Sequence, residues 1–144
     1  MEKPIRIVLA NHHPIIRSDL RLLLERQPAF RVIGEAASGR EAVVLVEYRR
    51  PEVVLLDIKL PNVNGIAAAR EISLKQPSVG IVFVNALTDQ EYVTEAFKAG
   101  ARGYVFAYDA QTDLISAVHV VAGGGSFVSP SISLHRVDNG AYEA

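Results

Sequence analysis

Five short runs of apolar residues, each followed by a stretch with helical spacing, constrain this chain more than any other feature. The runs are Ile5 to Ala10, Arg31 to Ala36, Val53 to Leu56, Val79 to Val84 and Tyr104 to Phe106. Runs of this length, rich in Val and Ile, read as buried strands. Pro14 suits the first turn of a helix that sets Ile16, Leu20, Leu23 and Leu24 on one face. Ser38 reads as the cap of a second helix, Arg40 to Tyr48, and a third runs from about Gly65 to Lys75, ahead of Pro77. Thr88, with Glu91 three residues on, reads as a capping box for a fourth helix whose inner stripe is Tyr92, Val93, Ala96 and Phe97. A fifth, roughly Gln111 to Ala122, buries Leu114, Ile115, Val118 and Val121, and Gly123-Gly124-Gly125 stops it. Strands alternating with helices predict an α/β domain: a parallel sheet covered on both faces, with right-handed crossovers.

Composition narrows the function classes. A chain of 144 residues, 49% hydrophobic, suits one domain with a good-sized core. A formal net charge of −1 leaves no electrostatic footprint for nucleic acid. The absence of cysteine excludes disulfides, thiolate metal sites and thiol catalysis. The start, Met1-Glu2-Lys3-Pro4, has no signal-peptide pattern, and the apolar runs are too short to span a bilayer. A cytoplasmic protein with no membrane partner is expected.

Asp57 carries the functional signal. It ends the apolar run Val53-Val54-Leu55-Leu56 and opens Ile58-Lys59-Leu60-Pro61-Asn62-Val63-Asn64-Gly65. A carboxylate there lies in the crevice where open parallel sheets bind ligands. The spacing Asp57-x-x-x-Pro61-x-x-x-Gly65 resembles the phosphorylation loop of bacterial response-regulator receiver domains, and the surrounding sequence resembles the LuxR/NarL-type subfamily. The resemblance covers residues 4 to about 130. It implies the flavodoxin-like (βα)5 fold, a five-stranded sheet of order 2-1-3-4-5. Helices one and five would cover one face; two, three and four would cover the other.

Carried over residue by residue, the resemblance implies a degenerate phosphorylation site. Where receivers place a metal-holding acidic pair, this chain has Asn11-His12, while His13-Pro14 keep the related sequence. Where they place Ser or Thr on the fourth strand, it has Asn85, and where they place Lys after the fifth, it has Ala107. Tyr104 falls at the aromatic switch position. Asp57 is thus the phosphoacceptor equivalent, in a pocket with Asn11, His12, Lys59, Asn85 and Ala107. Phosphoryl transfer rests on positioning and on stabilising charge at the transferring oxygens. Mg²⁺ takes oxygen ligands, carboxylates foremost, and imidazole prefers transition metals. Binding of Mg²⁺ is therefore expected to be lost or very weak, and no other cofactor is implied. A protonated His12 beside Asp57 would stand in for the missing charges.

Three functions follow from these residues. One is an atypical receiver of a two-component-type transcription regulator that works by protein–protein interaction and dimerisation rather than catalysis. Its partners would be a second copy, a histidine kinase or another regulator. A second is a working phosphoacceptor using Asp57. A third is a sensor that binds a small ligand in the vacated crevice. For pairing, Leu22, Leu114, Ile115 and Val118 offer apolar surface. The domain is expected over residues 1–125, with 126–144 a linker and tail. The resemblance places DNA binding in a C-terminal helix-turn-helix domain, of which residues 131–144 show no pattern.

Overall fold

The structure is a computed structural model that describes residues 3–132. Its strands are β1 (Ile5–Ala10), β2 (Phe30–Ala36), β3 (Val53–Leu56), β4 (Gly80–Asn85), β5 (Gly103–Phe106) and β6 (Phe127–Val128). Between them lie α1 (Pro14–Glu25), α2 (Gly39–Arg49), α3 (Gly65–Lys75), α4 (Gln90–Lys98) and α5 (Ala110–Ala122). A single turn of 3-10 helix, Ala107–Asp109, leads into α5. All strand pairs are parallel, in the order β2-β1-β3-β4-β5-β6. This is the flavodoxin-like arrangement, in which the chain reverses direction across the sheet at β1 and β3.

The alternation of side chains along each strand divides the core into two layers. Val54, Leu56, Ile81, Phe83 and Tyr104 point to the side covered by α2, α3 and α4. Val53, Leu55, Val82, Val84 and Val105 point to the side covered by α1 and α5. Every residue of β3 and β4 is buried, as the continuous apolar runs predict for strands covered on both faces. Each buried Val, Leu or Ile contributes ~1.5–3 kcal/mol through removal from water, so these central strands anchor the molecule.

Two expectations change. The sheet has a sixth strand: Phe127–Val128 pairs with β5, so part of the segment read as a linker lies on the domain. Beyond it Ser129 and Ile132 are fully buried. The rest of that tail, from residue 133, lies outside the described residues. The capping box at Thr88 does not form. The cap position of α4 is Asp89, and its side chain makes no capping bond. Ser38 does cap α2, accepting from the Glu41 N–H, and Asn64 caps α3 through the Ala67 N–H. No helix among the described residues is long and apolar enough to cross a membrane.

Candidate functional site

The crevice forms at the carboxyl ends of the strands. Asn11 follows β1, Asp57 follows β3, Asn85 ends β4 and Ala107 follows β5. They line one cavity of about 260 Å³ with Lys59, His13 and an apolar wall that includes Ile16, Leu20, Val84 and Leu87. A larger open groove, about 700 Å³, lies beside Arg50, Gln76 and Arg102. There the Arg102 guanidinium is engaged with the Ser78 and Val79 carbonyls, whereas the smaller crevice gathers the side chains singled out by the sequence.

Hydrogen bonds fix the polar groups of the crevice. Asn85 Nδ2 donates to Asp57 Oδ1, which also accepts the Lys59 N–H at 3.3 Å. Asn85 Oδ1 accepts the Leu87 N–H at 2.7 Å. Asn11 Oδ1 accepts the His13 N–H at 2.8 Å, a local turn that starts α1. Arg17 holds the same corner: its Nη1 donates to the Asn11 carbonyl at 2.8 Å, and its Nε to Glu35 at 3.1 Å. The carboxylate and amide side chains lining the crevice are therefore one carboxylate, Asp57, and two amides, Asn11 and Asn85, and both amide oxygens are already accepting backbone N–H groups. Among the described residues no ion pair reaches Asp57.

His12 departs from its expected place. It is exposed and does not line the cavity; its ring lies 5.4 Å from that of His13, which does. The Asn11 turn brings His13 to the crevice and leaves His12 on the outside. No ion pair joins His12 to Asp57 among the described residues. His13, read from the sequence as a capping or packing residue, occupies the cap position of α1 without a side-chain capping bond.

Tyr104 is fully buried against Phe83, and its hydroxyl donates to the Leu87 carbonyl at 2.7 Å. Burial pushes its phenol well above the ordinary tyrosine value, and the Asp57 and Asp89 carboxylates add to that. Since Leu87 also binds Asn85 through its N–H, a continuous chain of hydrogen bonds runs from Asp57 through Asn85 and Leu87 to Tyr104. Leu87 had no distinguishing mark in the sequence. Ile16 and Leu20 were visible there only as members of a helix stripe.

Comparison with known proteins follows the same lines. Residues 7–119 match the model of the response regulator receiver domain. The transcriptional regulatory protein DegU of Brevibacillus brevis is 36% identical over 92% of this chain and 56% of its own length. The nitrate/nitrite response regulator NarL of Escherichia coli is 31% identical over 92% of this chain and 61% of its own. The chain thus spans little more than half the length of these curated relatives. A crystal structure of a LuxR-family two-component response regulator from Aurantimonas sp. superposes with a TM-score of 0.91 at 31% identity, covering 97% of this chain and 100% of the other. On this match over most of its length, the chain belongs to the response regulator receiver domain family.

Proposed function

We propose that this receiver domain acts as an interaction and dimerisation module of a two-component-type transcription regulator, largely independent of Mg²⁺-dependent phosphorylation. Receiver domains are in general signalling rather than catalytic domains. The observation that carries the reading is the donor set around Asp57: one carboxylate, with the amide oxygens of Asn11 and Asn85 already committed to backbone N–H groups. Mg²⁺ dehydrates reluctantly and demands near-ideal octahedral oxygen ligation. These residues do not fit it. Ala107 supplies no positive charge for a phosphoryl group, and Lys59 is exposed and makes no ion pair with Asp57. Tyr104 would serve as the switch residue, reporting the state of the crevice through the Leu87 carbonyl. Its partners would be a second copy and a histidine kinase or other regulator in the cytoplasm. DNA would be met through a C-terminal domain, as the relatives named as transcriptional regulators suggest.

The test is direct. Titration with millimolar Mg²⁺ leaves the melting temperature and the crevice NMR signals unchanged, while Asn11→Asp, which adds a second carboxylate to the crevice, gains a response. Saturable Mg²⁺ binding by the unmodified chain would overturn the reading. A second reading, Asp57 as a working phosphoacceptor, is favoured by the survival of that carboxylate with an Asn85 donor beside it. Incubation with acetyl phosphate and Mg²⁺ separates the two: a phosphoryl mass increment lost in Asp57→Asn establishes the second.

A further inference from the structure

The crevice leaves two polar groups unanswered. Asn11 is only 4% exposed and lines the cavity, yet its Nδ2 donates to no described residue; only its Oδ1 is engaged. Asp57 Oδ1 takes both the Asn85 Nδ2 and the Lys59 N–H, and its Oδ2 accepts from no described residue. Buried polar groups in native proteins are nearly always paired, because an unpaired one forfeits its hydration; Asn11 is such a group, while Asp57 is half-buried and keeps its Oδ2 open to the crevice. An unpaired donor and an unpaired carboxylate oxygen lining one cavity point to a ligand that answers both.

Charge and shape narrow the class. No Lys, Arg or His forms an ion pair with Asp57 among the described residues, although Lys59 and His13 both line the crevice. A carboxylate set against apolar walls favours a cationic partner. Leu20 and Val84 are already buried, so the apolar surface open to a ligand at the crevice is that of Ile16, 47% exposed, and the half-buried Ala107. Ala107, with its single methyl, leaves open the space that a longer side chain would fill. At about 260 Å³ the cavity falls just below the usual range for drug-sized ligands, roughly 300–1,000 Å³.

We infer that this crevice binds a small organic ammonium compound with an oxygen acceptor beside the nitrogen and a short branched hydrocarbon body. The ammonium donates to Asp57 Oδ2, the oxygen accepts from Asn11 Nδ2, and the hydrocarbon covers Ile16 and Ala107. The inference rests on the reading that Mg²⁺ does not occupy the crevice.

Leucinol, isopentylammonium and isopentyl alcohol serve as probes, titrated into the whole chain and followed by the amide NMR signals of Asn85 and Ala107. Leucinol binds saturably, about tenfold tighter than isopentylammonium, the worth of one hydrogen bond. The alcohol, which lacks the charge, produces no saturable shift. Asn11→Ala, shown first to melt cooperatively, removes the advantage of leucinol while isopentylammonium still binds. Asp57→Asn removes binding of both amines. Ala107→Lys, which introduces an ammonium of its own, also removes it. Equal binding of the alcohol, retention of binding in Asp57→Asn, or no saturable shift with either amine would overturn the inference. Mg²⁺ is titrated in parallel. If leucinol and Mg²⁺ are both silent, only this inference falls; if Mg²⁺ binds and displaces leucinol, the reading beneath it falls as well.

Discussion

Gly65 shows why Asp57 and a later glycine form a single motif. The Gly65 N–H donates to the Ile58 carbonyl at 2.8 Å, folding the loop back on itself. A Cβ at Gly65 would stand 2.1 Å from the Asp57 carbonyl oxygen, so any side chain there displaces the backbone that carries the carboxylate. Gly65→Ala is expected to cost ~1–3 kcal/mol, the usual penalty for forcing atoms into a packed site, and to move the Asp57 amide signal. A denaturation midpoint equal to that of the unmodified chain would remove this account of the motif. The spacing was legible in the sequence, but the contact behind it was not, because nothing in the residue types says how closely two backbones approach. Tyr104 offers a second test. Its folded-state ionisation lies above the ordinary tyrosine value of about 10, mainly through burial. A group whose ionisation is raised on folding contributes stability that is full below the unfolded value and is lost as pH rises toward the folded one. Stability should therefore hold up to about pH 10 and fall above it. Tyr104→Phe should flatten the alkaline fall and cost ~1 kcal/mol at neutral pH through loss of the bond to Leu87. An alkaline fall of the same size in the variant would assign it to other groups.

At the level of elements, the long segments were legible and the ends were not. The buried strands and amphipathic helices repeat a period over many residues, and β1, β3 and α3 fall where that period places them. The start of α4 moved because Thr88, with Glu91 three residues on, matches the spacing of a capping box, whereas the helix starts one residue later, after Asp89. The strand β6 was invisible for a physical reason: two residues after a glycine run are too few to show alternation, and their partner is distant in the sequence. What holds this segment is Ser129. Its N–H donates to the Tyr104 carbonyl at 3.0 Å, and its Oγ accepts the Phe106 N–H at 2.9 Å. Both bonds reach β5, the strand that carries Tyr104, so the chain leaving the domain is tied to that strand. Ser129→Ala would leave the Phe106 N–H without its partner and is expected to cost ~1–3 kcal/mol. It should also speed hydrogen exchange at Phe106 and Phe127. If the variant is as stable as the parent and exchange at Phe106 is unchanged, the serine does not fasten the segment.

On the scale of the molecule, the two-layer arrangement was readable because helix stripes and strand alternation must face each other to remove apolar surface from water. The crevice was readable as a set of strand ends, since an open parallel sheet gathers those ends at one edge. Its hydrogen bonds and its apolar wall needed three dimensions. Association is where the structure redirects the sequence reading most. Leu114 and Val118 are fully buried and unavailable for pairing, whereas Leu22 is 61% exposed. Ile15, 77% exposed, lies two turns away on the same side of α1, since residues seven apart share a helix face. The outer edge of β5 is closed by β6, which blocks continuation of the sheet through that strand. Exposed apolar residues on one helix face mark a contact surface, and soluble oligomers are mostly symmetric pairs in which the same patch serves both copies. The expected outcome is a dimer at high micromolar concentration with neither Mg²⁺ nor a phosphodonor present. Ile15→Glu combined with Leu22→Glu should yield a monomer by light scattering, with stability within ~0.5 kcal/mol per exposed substitution. Since neither Ile15 nor Leu22 lines the crevice at Asp57, Asp57→Asn should leave the dimer intact. A parent chain that stays monomeric throughout that range, or a dimer that dissociates in Asp57→Asn, would show that the state of the carboxylate, and not the face of α1, controls assembly.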